Sequence, residues 1–305
     1  MDILFYFTAL LCAYSYFLYP LILKLVPVRS SKSVQIINDN NLPRLSLIIT
    51  AHNEEGRIRE KLENTLQIDY PKDHLEIIVA SDFSTDATDS IVESYADKGI
   101  RLVRADARKG KEYAQLWAIK ASKGDILVFS DVATILEPDG ISNIVKNFKD
   151  PSIGCVSSED RFIDADGTIS GEGAYVKYEM FLRKFESRVN TLVGLSGSFF
   201  AARREVCKNW SNELQSDFNT LLNSIRLGLR GISDSQSIGY YKNIADEKKE
   251  YNRKVRTVLR GISVMMRNLP LLNPIKYGLF GWQLFSHKIC RWLVPYFLIF
   301  LFFFL

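Results

Sequence analysis

Two long apolar runs lie near the ends of the chain, and a sequence of mixed polarity lies between them. Residues 3–26 read ILFYFTALLCAYSYFLYPLILKLV, with Lys24 as the one charged residue. A helix rises about 1.5 Å per residue, so this run can cross a hydrocarbon core of ~30 Å. A signal peptide is the alternative, but the run is too long and lacks a basic leader and a small-residue cleavage site. We therefore expect residues 1–28 to form an N-terminal transmembrane anchor.

The second apolar run, residues 292–305, reads WLVPYFLIFLFFFL. As a helix it covers roughly 21 Å, which is short of a full crossing. We expect residues 290–305 to form all or part of a C-terminal transmembrane segment. Lys24 lies near the end of the first run and Arg29 and Lys32 follow it, whereas Asp2 precedes it. Because Lys and Arg are enriched on the cytoplasmic side, this asymmetry predicts a cell-membrane protein whose middle part is cytoplasmic.

The middle of the chain alternates short apolar runs with helical patterns. The apolar runs are 45–50 (LSLIIT), 75–80 (LEIIVA), a weaker 100–103, and 126–129 (ILVF). Such runs are typical of strands buried on both faces of a parallel sheet. The helical patterns between them are 55–66, 86–95 and 111–121. The alternation predicts a doubly wound α/β domain with a mostly parallel sheet over residues 42–245.

Polar segments directly follow three of the apolar runs. They are 51–55 (AHNEE), 81–86 (SDFSTD) and 130–134 (SDVAT). Ligands of such sheets bind outside the carboxyl ends of the strands. Helix capping is the alternative, since Asp and Ser are common at helix starts. Because three such loops follow three buried runs, we favour a binding site.

Composition and motifs exclude several classes of protein. The 47% hydrophobic and 24% charged residues are ordinary for a globular domain, and the net charge of +4 is mild. The four Cys and three His are scattered without a C-x-x-C pair, so neither a disulfide framework nor a zinc site is predicted. Dinucleotide and P-loop glycine fingerprints are absent, which argues against those enzyme classes. We expect a reducing compartment and no nucleic-acid partner.

Six segments resemble, in order, the motifs of glycosyltransferase family 2, the inverting enzymes of the GT-A fold, in particular its membrane-anchored, cellulose-synthase-like polysaccharide glycosyltransferases. The resemblance covers roughly residues 45–260. The segments are TAHNEE at 50–55, EIIVASDFSTDATDSI at 76–91, KGK at 109–111, ILVFSDVAT at 126–134, GLSGSFFAARRE at 194–205 and SDF at 216–218. The resemblance implies a GT-A nucleotide-sugar domain flanked by transmembrane or interfacial helices.

The resemblance also implies a donor site. Asn53 and Glu54 would hydrogen-bond the nucleoside, and Asp82 would accept from the uracil N–H, which indicates a UDP-sugar. Asp131 would face the diphosphate through Mg²⁺ or Mn²⁺, and a glycine loop would approach the sugar. The residues expected to bind the donor are Ala51, Asn53, Glu54, Asp82, Lys111, Asp131 and Gly197.

Asp217 is the expected catalytic residue, because its SDF segment matches the catalytic position of the family. An inverting transfer needs a base to take a proton from the attacking hydroxyl. The anomeric carbon becomes oxocarbenium-like, as in glycosidases. A carboxylate at a helix start is also a good cap, which is the alternative role.

The chain departs from the family at its D-x-D motif, which reads Asp131-Val132-Ala133. Alanine replaces the usual metal-binding aspartate and cannot bind a metal. We therefore expect Asp131 alone to serve a divalent cation, with weakened affinity. The same substitution supports an alternative function, a catalytically weak or inactive glycosyltransferase-like membrane scaffold.

Basic and apolar residues interleave over 248–267, KKEYNRKVRTVLRGISVMMR. This pattern is typical of a helix lying on an anionic membrane surface, and we expect amphipathic interfacial helices over 246–289. Arg253 and Arg256 lie where processive family members have Q-x-x-R-W, although the full motif is absent. The resemblance implies that these arginines contact the donor diphosphate and the acceptor.

Together these observations predict an inverting transfer from a UDP-sugar to a lipid-linked or growing glycan acceptor at the cytoplasmic face of the membrane. Membrane lipid and polysaccharide-export proteins are the expected partners. With at most two visible spans, the chain cannot form a translocation channel alone, which argues against a processive synthase. A nucleotidyltransferase is a rival, but it needs a basic glycine-rich loop after the first strand, and residues 51–55 contain no glycine.

Overall fold

The computed structural model describes residues 2–29, 42–163, 174–242 and 247–303. The strands in these ranges are β1 Leu45–Ala51, β2 Leu75–Ser81, β3 Ile100–Arg104, β4 Ile126–Asp131, β5 Ile135–Leu136, β6 Ile153–Ile163, β7 Phe199–Arg203 and β8 Arg230–Lys242. The α-helices are α1 Asp2–Ala13, α2 Tyr19–Leu25, α3 Ile58–Leu66, α4 Thr88–Glu93, α5 Lys111–Ala121, α6 Gly140–Lys146, α7 Ala174–Val189, α8 Ser216–Arg226, α9 Glu247–Met266, α10 Pro274–Tyr277, α11 Leu279–Leu284 and α12 Cys290–Phe303.

The strands form one sheet in the order β3-β2-β1-β4-β7-β6-β8-β5. The four predicted apolar runs are confirmed as β1 to β4, which are adjacent and parallel. Leu45 pairs with both Leu75 and Ile126, so β1, β2 and β4 start level and end within one residue of each other. Strand β7 is antiparallel to β4 and β6, whereas β6 and β8 are parallel. The predicted α/β class with a mostly parallel sheet is confirmed.

Both faces of the sheet are covered, which explains why the strand sequences are continuously apolar. In β1, Leu47 and Ile49 pack in one core cluster, and Ile48 packs in the other on the opposite face. The first cluster contains Ile58 of α3, and the second contains Ala114 of α5. Successive strand residues point to opposite faces, so a strand between two helical layers has no solvent-facing side.

Two helices of the described chain are long and apolar enough to cross a membrane. They span Ile3–Leu25 and Leu279–Phe303, with 23 and 25 residues, and each contains one π-helical turn. The second helix begins well before the apolar run 292–305 and is therefore longer than the sequence pattern indicates. Tyr19 packs with Trp282 at a ring-centroid distance of 5.1 Å, so both helices meet the α/β domain at the same end.

Buried polar contacts attach these helices to α7. The Tyr19 hydroxyl donates to Glu186 Oε1 at 2.6 Å, and His287 Nδ1 lies 2.7 Å from the same oxygen. Arg291 forms an ion pair with Glu179 on α7. Because these polar side chains are paired within the protein, they are accommodated in helices that are otherwise apolar.

Helix α9 confirms the helical prediction for the basic stretch. Val264 and Met265 are buried in a cluster with Phe218 of α8. Leu259 and Met266 are exposed by 60% and 63%, which leaves apolar side chains on the outer surface of a helix rich in Lys and Arg. The division of the chain into anchor, catalytic domain, interfacial helices and C-terminal segment stays a prediction.

Candidate functional site

The loops after β1 and β2 brace each other at the carboxyl edge of the sheet. Asn53 has a left-handed φ of 52°, which asparagine tolerates better than most residues, and its Oδ1 accepts from the Thr85 N–H at 2.8 Å. The Glu54 N–H donates to Thr88 Oγ1 at 2.7 Å, and the Glu54 carboxylate pairs with Arg57. The first loop is therefore held in place by the second.

A cavity of about 250 Å³ opens between these loops and the end of β4. Its lining contains Thr50, Ala51, His52, Glu54, Asp82, Lys111, Asp131, Val132 and Ala133. The structure thus brings together five of the predicted donor-binding residues. Asn53 is not among the lining residues, because its side chain turns toward Thr85.

Asp82 is buried at the base of this cavity. Its carboxylate accepts from the backbone N–H groups of Lys109 and Gly110, with N–O distances of 3.0 to 3.1 Å. Gly110 has a φ of 98°, a region that glycine adopts without steric cost, and α5 begins at the next residue. A carboxylate has about four acceptor positions, so Asp82 retains capacity for a further donor from the cavity.

A second cavity, of about 390 Å³, shares Lys111, Asp131 and Ala133 with the first. Its lining includes Asp160, Gly197, Asp217, Arg253 and Arg260. The two cavities are therefore adjacent, and we treat them as two parts of one candidate site, with Lys111 and Asp131 between the parts. The Lys111 ammonium contacts Asp131. Burial alone would lower the pKa of Lys111, but the charge and hydrogen bond of Asp131, together with the charges of Asp217 and Glu112, raise it.

Of the two arginines of α9 that were predicted to contact the donor, Arg253 lines the second cavity, whereas Arg256 is exposed and is not among the lining residues. Arg260, which was not predicted, lines the cavity as well. Seven residues correspond to about two helical turns, so Arg253 and Arg260 lie on the same face of α9. Arg260 also forms an ion pair with the buried Glu112 of α5.

Asp217 lies in the first turn of α8 and is 8% exposed. Its Oδ2 accepts from Gln215 Nε2 at 3.1 Å, and its Oδ1 accepts from the Phe218 N–H at 2.8 Å. Burial raises the pKa of Asp217, and the Lys111 charge opposes that rise. A Cβ atom at Gly197 would lie 2.9 Å from Asp217 Oδ2, so only glycine lets this loop approach the carboxylate.

Asp160 and Glu112 are site residues that the sequence motifs did not indicate. Asp160 accepts from the hydroxyls of Ser196 and Ser198, and burial raises its pKa while these hydrogen bonds oppose the rise. Glu112 Oε1 accepts from the Ser216 N–H at 3.3 Å, next to Asp217. The serines of the loop 194–198 indicated that a hydrogen-bond acceptor lies near this loop, but no nearby sequence feature identified Asp160 as that acceptor.

Lys61 of α3 is fully buried beneath residues 131–133, the segment in which the chain differs from the D-x-D motif. Its ammonium donates to Ser130 Oγ at 2.8 Å and to the Thr134 carbonyl at 2.6 Å. Burial lowers the pKa of Lys61 to about 7, and the charge of Asp131 opposes that change. Lys61 therefore fixes the turn that contains Asp131 and Ala133.

The residues at this turn offer a divalent cation one carboxylate. Among the described residues there is no group of three or more His, Cys, Asp or Glu side chains that could hold a metal. Mg²⁺ is commonly bound by one or two carboxylates together with substrate phosphates. Asp131, whose side chain is 39% exposed, fits as such a single ligand.

Comparison with known protein families identifies the family to which a chain with this site belongs. The model of Glycosyl transferase family 2 matches residues 46–210, which is more than half of the chain. The chain belongs to this family. The match contains all three strand-end loops and the glycine loop, so the resemblance read from the motifs and the α/β GT-A fold are confirmed.

Curated sequences provide further relatives. "Probable glycosyltransferase YdaM" of Bacillus subtilis is 36% identical over 138 residues, 43% of this chain and 33% of that protein. The poly-beta-1,6-N-acetyl-D-glucosamine synthase of Staphylococcus aureus is 26% identical over 204 residues, 64% of this chain and 48% of that protein. The chain thus spans less than half the length of these curated relatives.

Among solved structures, the mannosyltransferase PcManGT from Pyrobaculum calidifontis, in complex with GDP-Man and Mn²⁺, superposes with a TM-score of 0.76. The likeness covers 97% of this chain and 84% of that chain at 23% sequence identity. At this identity the likeness supports the fold, which includes the terminal helices because almost the whole chain is covered.

Proposed function

We propose that this protein transfers a sugar from a UDP-sugar, with inversion, to a lipid-linked or growing glycan acceptor at the cytoplasmic face of a membrane. One observation carries the proposal. The buried Asp217 lies in the part of the site that adjoins the nucleotide cavity, and the Lys111–Asp131 pair lies between the two parts. A base on one side of the diphosphate position and a nucleoside cavity on the other is the arrangement that such a transfer requires.

The first cavity would hold the nucleoside, with Ala51 and Glu54 in its wall and Asp82 at its base. Asp82 accepts backbone N–H groups already, and its remaining acceptor capacity suits the N–H of a uracil ring. The diphosphate would lie beside Lys111, Arg253 and Arg260, whose charges favour the departing UDP. Asn53 would act on the donor through the loop conformation that it stabilises.

Asp217 would take the proton of the attacking hydroxyl while that oxygen bonds to the anomeric carbon and the UDP oxygen leaves. A single displacement inverts the anomeric configuration. A divalent cation held by Asp131 would add positive charge at the departing diphosphate. Gly197 leaves room for the sugar near Asp217, because a side chain at this position would contact the carboxylate.

Membrane association is supported by two apolar helices and by the exposed apolar residues of α9. The name of the S. aureus relative describes a polysaccharide product, and that of a Nostoc relative, beta-monoglucosyldiacylglycerol synthase, describes a glycolipid. These names support a glycan or lipid-linked acceptor. We propose polysaccharide-export proteins as partners of such an activity. The alternative, a catalytically weak scaffold, is favoured by Ala133 alone.

The test is a UDP-release assay with the purified full chain in detergent. UDP-glucose, UDP-galactose and UDP-N-acetylglucosamine would be compared with GDP-mannose, with and without membrane lipid extract as acceptor. We expect one UDP-sugar to be turned over, faster with the extract. Turnover of GDP-mannose alone would overturn the nucleotide assignment, and binding of UDP without turnover of any donor would support the scaffold.

A further inference from the structure

A separate cavity of about 500 Å³ lies away from the donor site, at the start of β6 and β8. Ile153 and Arg230, the first residues of these strands, contribute to its wall. Glu159 also lines it, whereas the next residue, Asp160, lines the donor site. Successive strand residues point to opposite faces, so the sheet itself separates this cavity from the catalytic site.

The wall of this cavity carries an excess of positive charge. It contains six cationic side chains and three carboxylates. The cations are Arg29, Lys146, Lys149, Lys184, Arg188 and Arg230, and the carboxylates are Asp150, Glu159 and Asp234. Within the part of the chain that the structure describes, none of the six cations forms an ion pair; the contacts of Lys146, for example, are with the amide oxygens of Asn143 and Gln236.

Arg230 is the most buried of these cations. Its Nε donates to the Asn190 carbonyl at 2.6 Å and its Nη2 to the Ser187 carbonyl at 2.8 Å. Burial lowers the pKa of Arg230, the charge of Arg29 lowers it further, and Asp150 opposes both. Arg29 donates to Asn190 Oδ1, so among the described residues the hydrogen bonds of these two neighbouring guanidinium groups go to neutral oxygens. A bound anion would neutralise their charges.

The position of the cavity indicates the source of such an anion. Val28 and Arg29, which line it, come shortly after the apolar helix Ile3–Leu25. The Arg29 N–H donates to the Arg188 carbonyl at 3.1 Å, which fixes the chain against α7 where it leaves that helix. Leu25 and Val28 are exposed by 79% and 57%, so an apolar surface adjoins the cationic cavity.

We propose that this cavity binds the phosphate-bearing headgroup of an anionic phospholipid, whose acyl chains lie along the exposed side of the N-terminal apolar helix. Arginine and lysine side chains donate charge-assisted hydrogen bonds to phosphate oxygens, and basic cavities beside membrane helices suit such headgroups. The inference rests on the proposed membrane association, and it is independent of the transfer reaction.

The test compares two triple variants of the full chain in detergent. One removes three cations of the cavity wall, Lys149→Gln, Lys184→Gln and Arg188→Gln. Its matched control removes three exposed lysines elsewhere, Lys72→Gln, Lys120→Gln and Lys123→Gln. Calorimetry would measure the binding of dihexanoyl phosphatidylglycerol below its micellar concentration, of dihexanoyl phosphatidylcholine and of inorganic phosphate.

We expect phosphatidylglycerol to bind more tightly than phosphatidylcholine, with affinity ~100-fold weaker in the cavity variant and unchanged in the control. Equal binding of the two lipids, or an equal loss in both variants, would overturn the proposal. Inorganic phosphate that binds as tightly as phosphatidylglycerol would assign the cavity to free phosphate and overturn the lipid assignment. UDP affinity, measured in parallel, should be unchanged in both variants, so a failure of the donor-site proposal would be recognised separately.

Discussion

The Lys111 ammonium lies 2.5 Å from Asp131 Oδ1 and 2.9 Å from the carbonyl oxygen of Gly197. One side chain of α5 thereby joins the end of β4 to the glycine loop that contacts Asp217. The cation that neutralises Asp131 belongs to the protein, so a divalent metal bound to Asp131 would have to compete with Lys111 for this carboxylate. Two predictions about the metal follow from this contact.

The first concerns position 133. Ala133→Asp should tighten Mn²⁺ binding in the presence of UDP by roughly tenfold or more, because it restores a second carboxylate ligand. Ala133→Leu adds bulk without a ligand and serves as the control. Electron paramagnetic resonance titration of free Mn²⁺ would measure the change. If the Asp variant binds no better than wild type, residue 133 does not face the metal.

The second concerns the lysine. Lys111→Met removes the charge and keeps most of the volume, so UDP affinity should fall by about 1–3 kcal/mol. Mn²⁺ affinity should instead rise, because Asp131 loses its competing cation. Lys109→Met, which removes an exposed lysine two residues away, is the matched control. A parallel fall in the affinities for UDP and Mn²⁺ would contradict competition at Asp131.

The third prediction concerns the base. Asp217→Asn should lower the rate of transfer by ~10²–10⁴-fold with little change in UDP affinity, because the amide cannot accept the proton. Asp97→Asn, at an exposed position, should retain full activity. Near-normal turnover of the Asp217 variant would exclude this residue as the base.

The raised pKa of Asp217 adds a stability test of the same variant. The folded state binds the proton more tightly than the unfolded state, whose pKa is near 3.8. Between these two pKa values the folded state holds more protons, so stability falls as pH rises. The ionised carboxylate therefore costs stability at neutral pH. Asp217→Asn should melt at a higher temperature than wild type at pH 7, and this difference in melting temperature should shrink toward pH 4. A difference that grows on acidification would contradict a raised pKa of Asp217.

The fourth prediction separates two roles of Asp82. Asp82→Ala should weaken uridine binding by about 1–3 kcal/mol if the carboxylate reads the uracil edge. It also releases the Lys109 and Gly110 N–H groups, so a disturbed α5 would weaken pyrophosphate binding through Lys111. Calorimetry with uridine and with pyrophosphate distinguishes these effects. Loss of pyrophosphate affinity alone would limit Asp82 to a structural role.

The fifth prediction concerns orientation. A cysteine introduced at the exposed position Ala87 should be protected from a membrane-impermeant thiol reagent in intact cells and labelled after lysis. The native cysteines are buried or half-buried, which keeps the background low. A cysteine at Asp2, beyond the other end of the first apolar helix, should show labelling in intact cells. Labelling of the Ala87 variant in intact cells would place the domain on the outer side.

The amino-acid sequence by itself determined the elements whose signals are local. Strands β1 to β4 were predictable because burial on both faces requires a continuous apolar run, and α5 was predicted with the bounds Lys111–Ala121 that the structure has. The order of the motifs identified the family and selected most of the side chains that line the two cavities. These signals are readable because each depends on neighbours within one turn of helix or one strand.

The tertiary structure alone decided the contacts between distant residues. Glu112 meets Arg260 across 148 positions, and Lys61 meets Thr134 across 73, so no local pattern contains both partners. The second apolar helix begins at Leu279, and Gln283, which interrupts its apolar pattern, is fully buried and donates to the Thr191 carbonyl. A buried polar group is stable only where the fold supplies its partner. For that reason, the partners of the polar residues in the site and inside the apolar helix could be identified only from the three-dimensional arrangement.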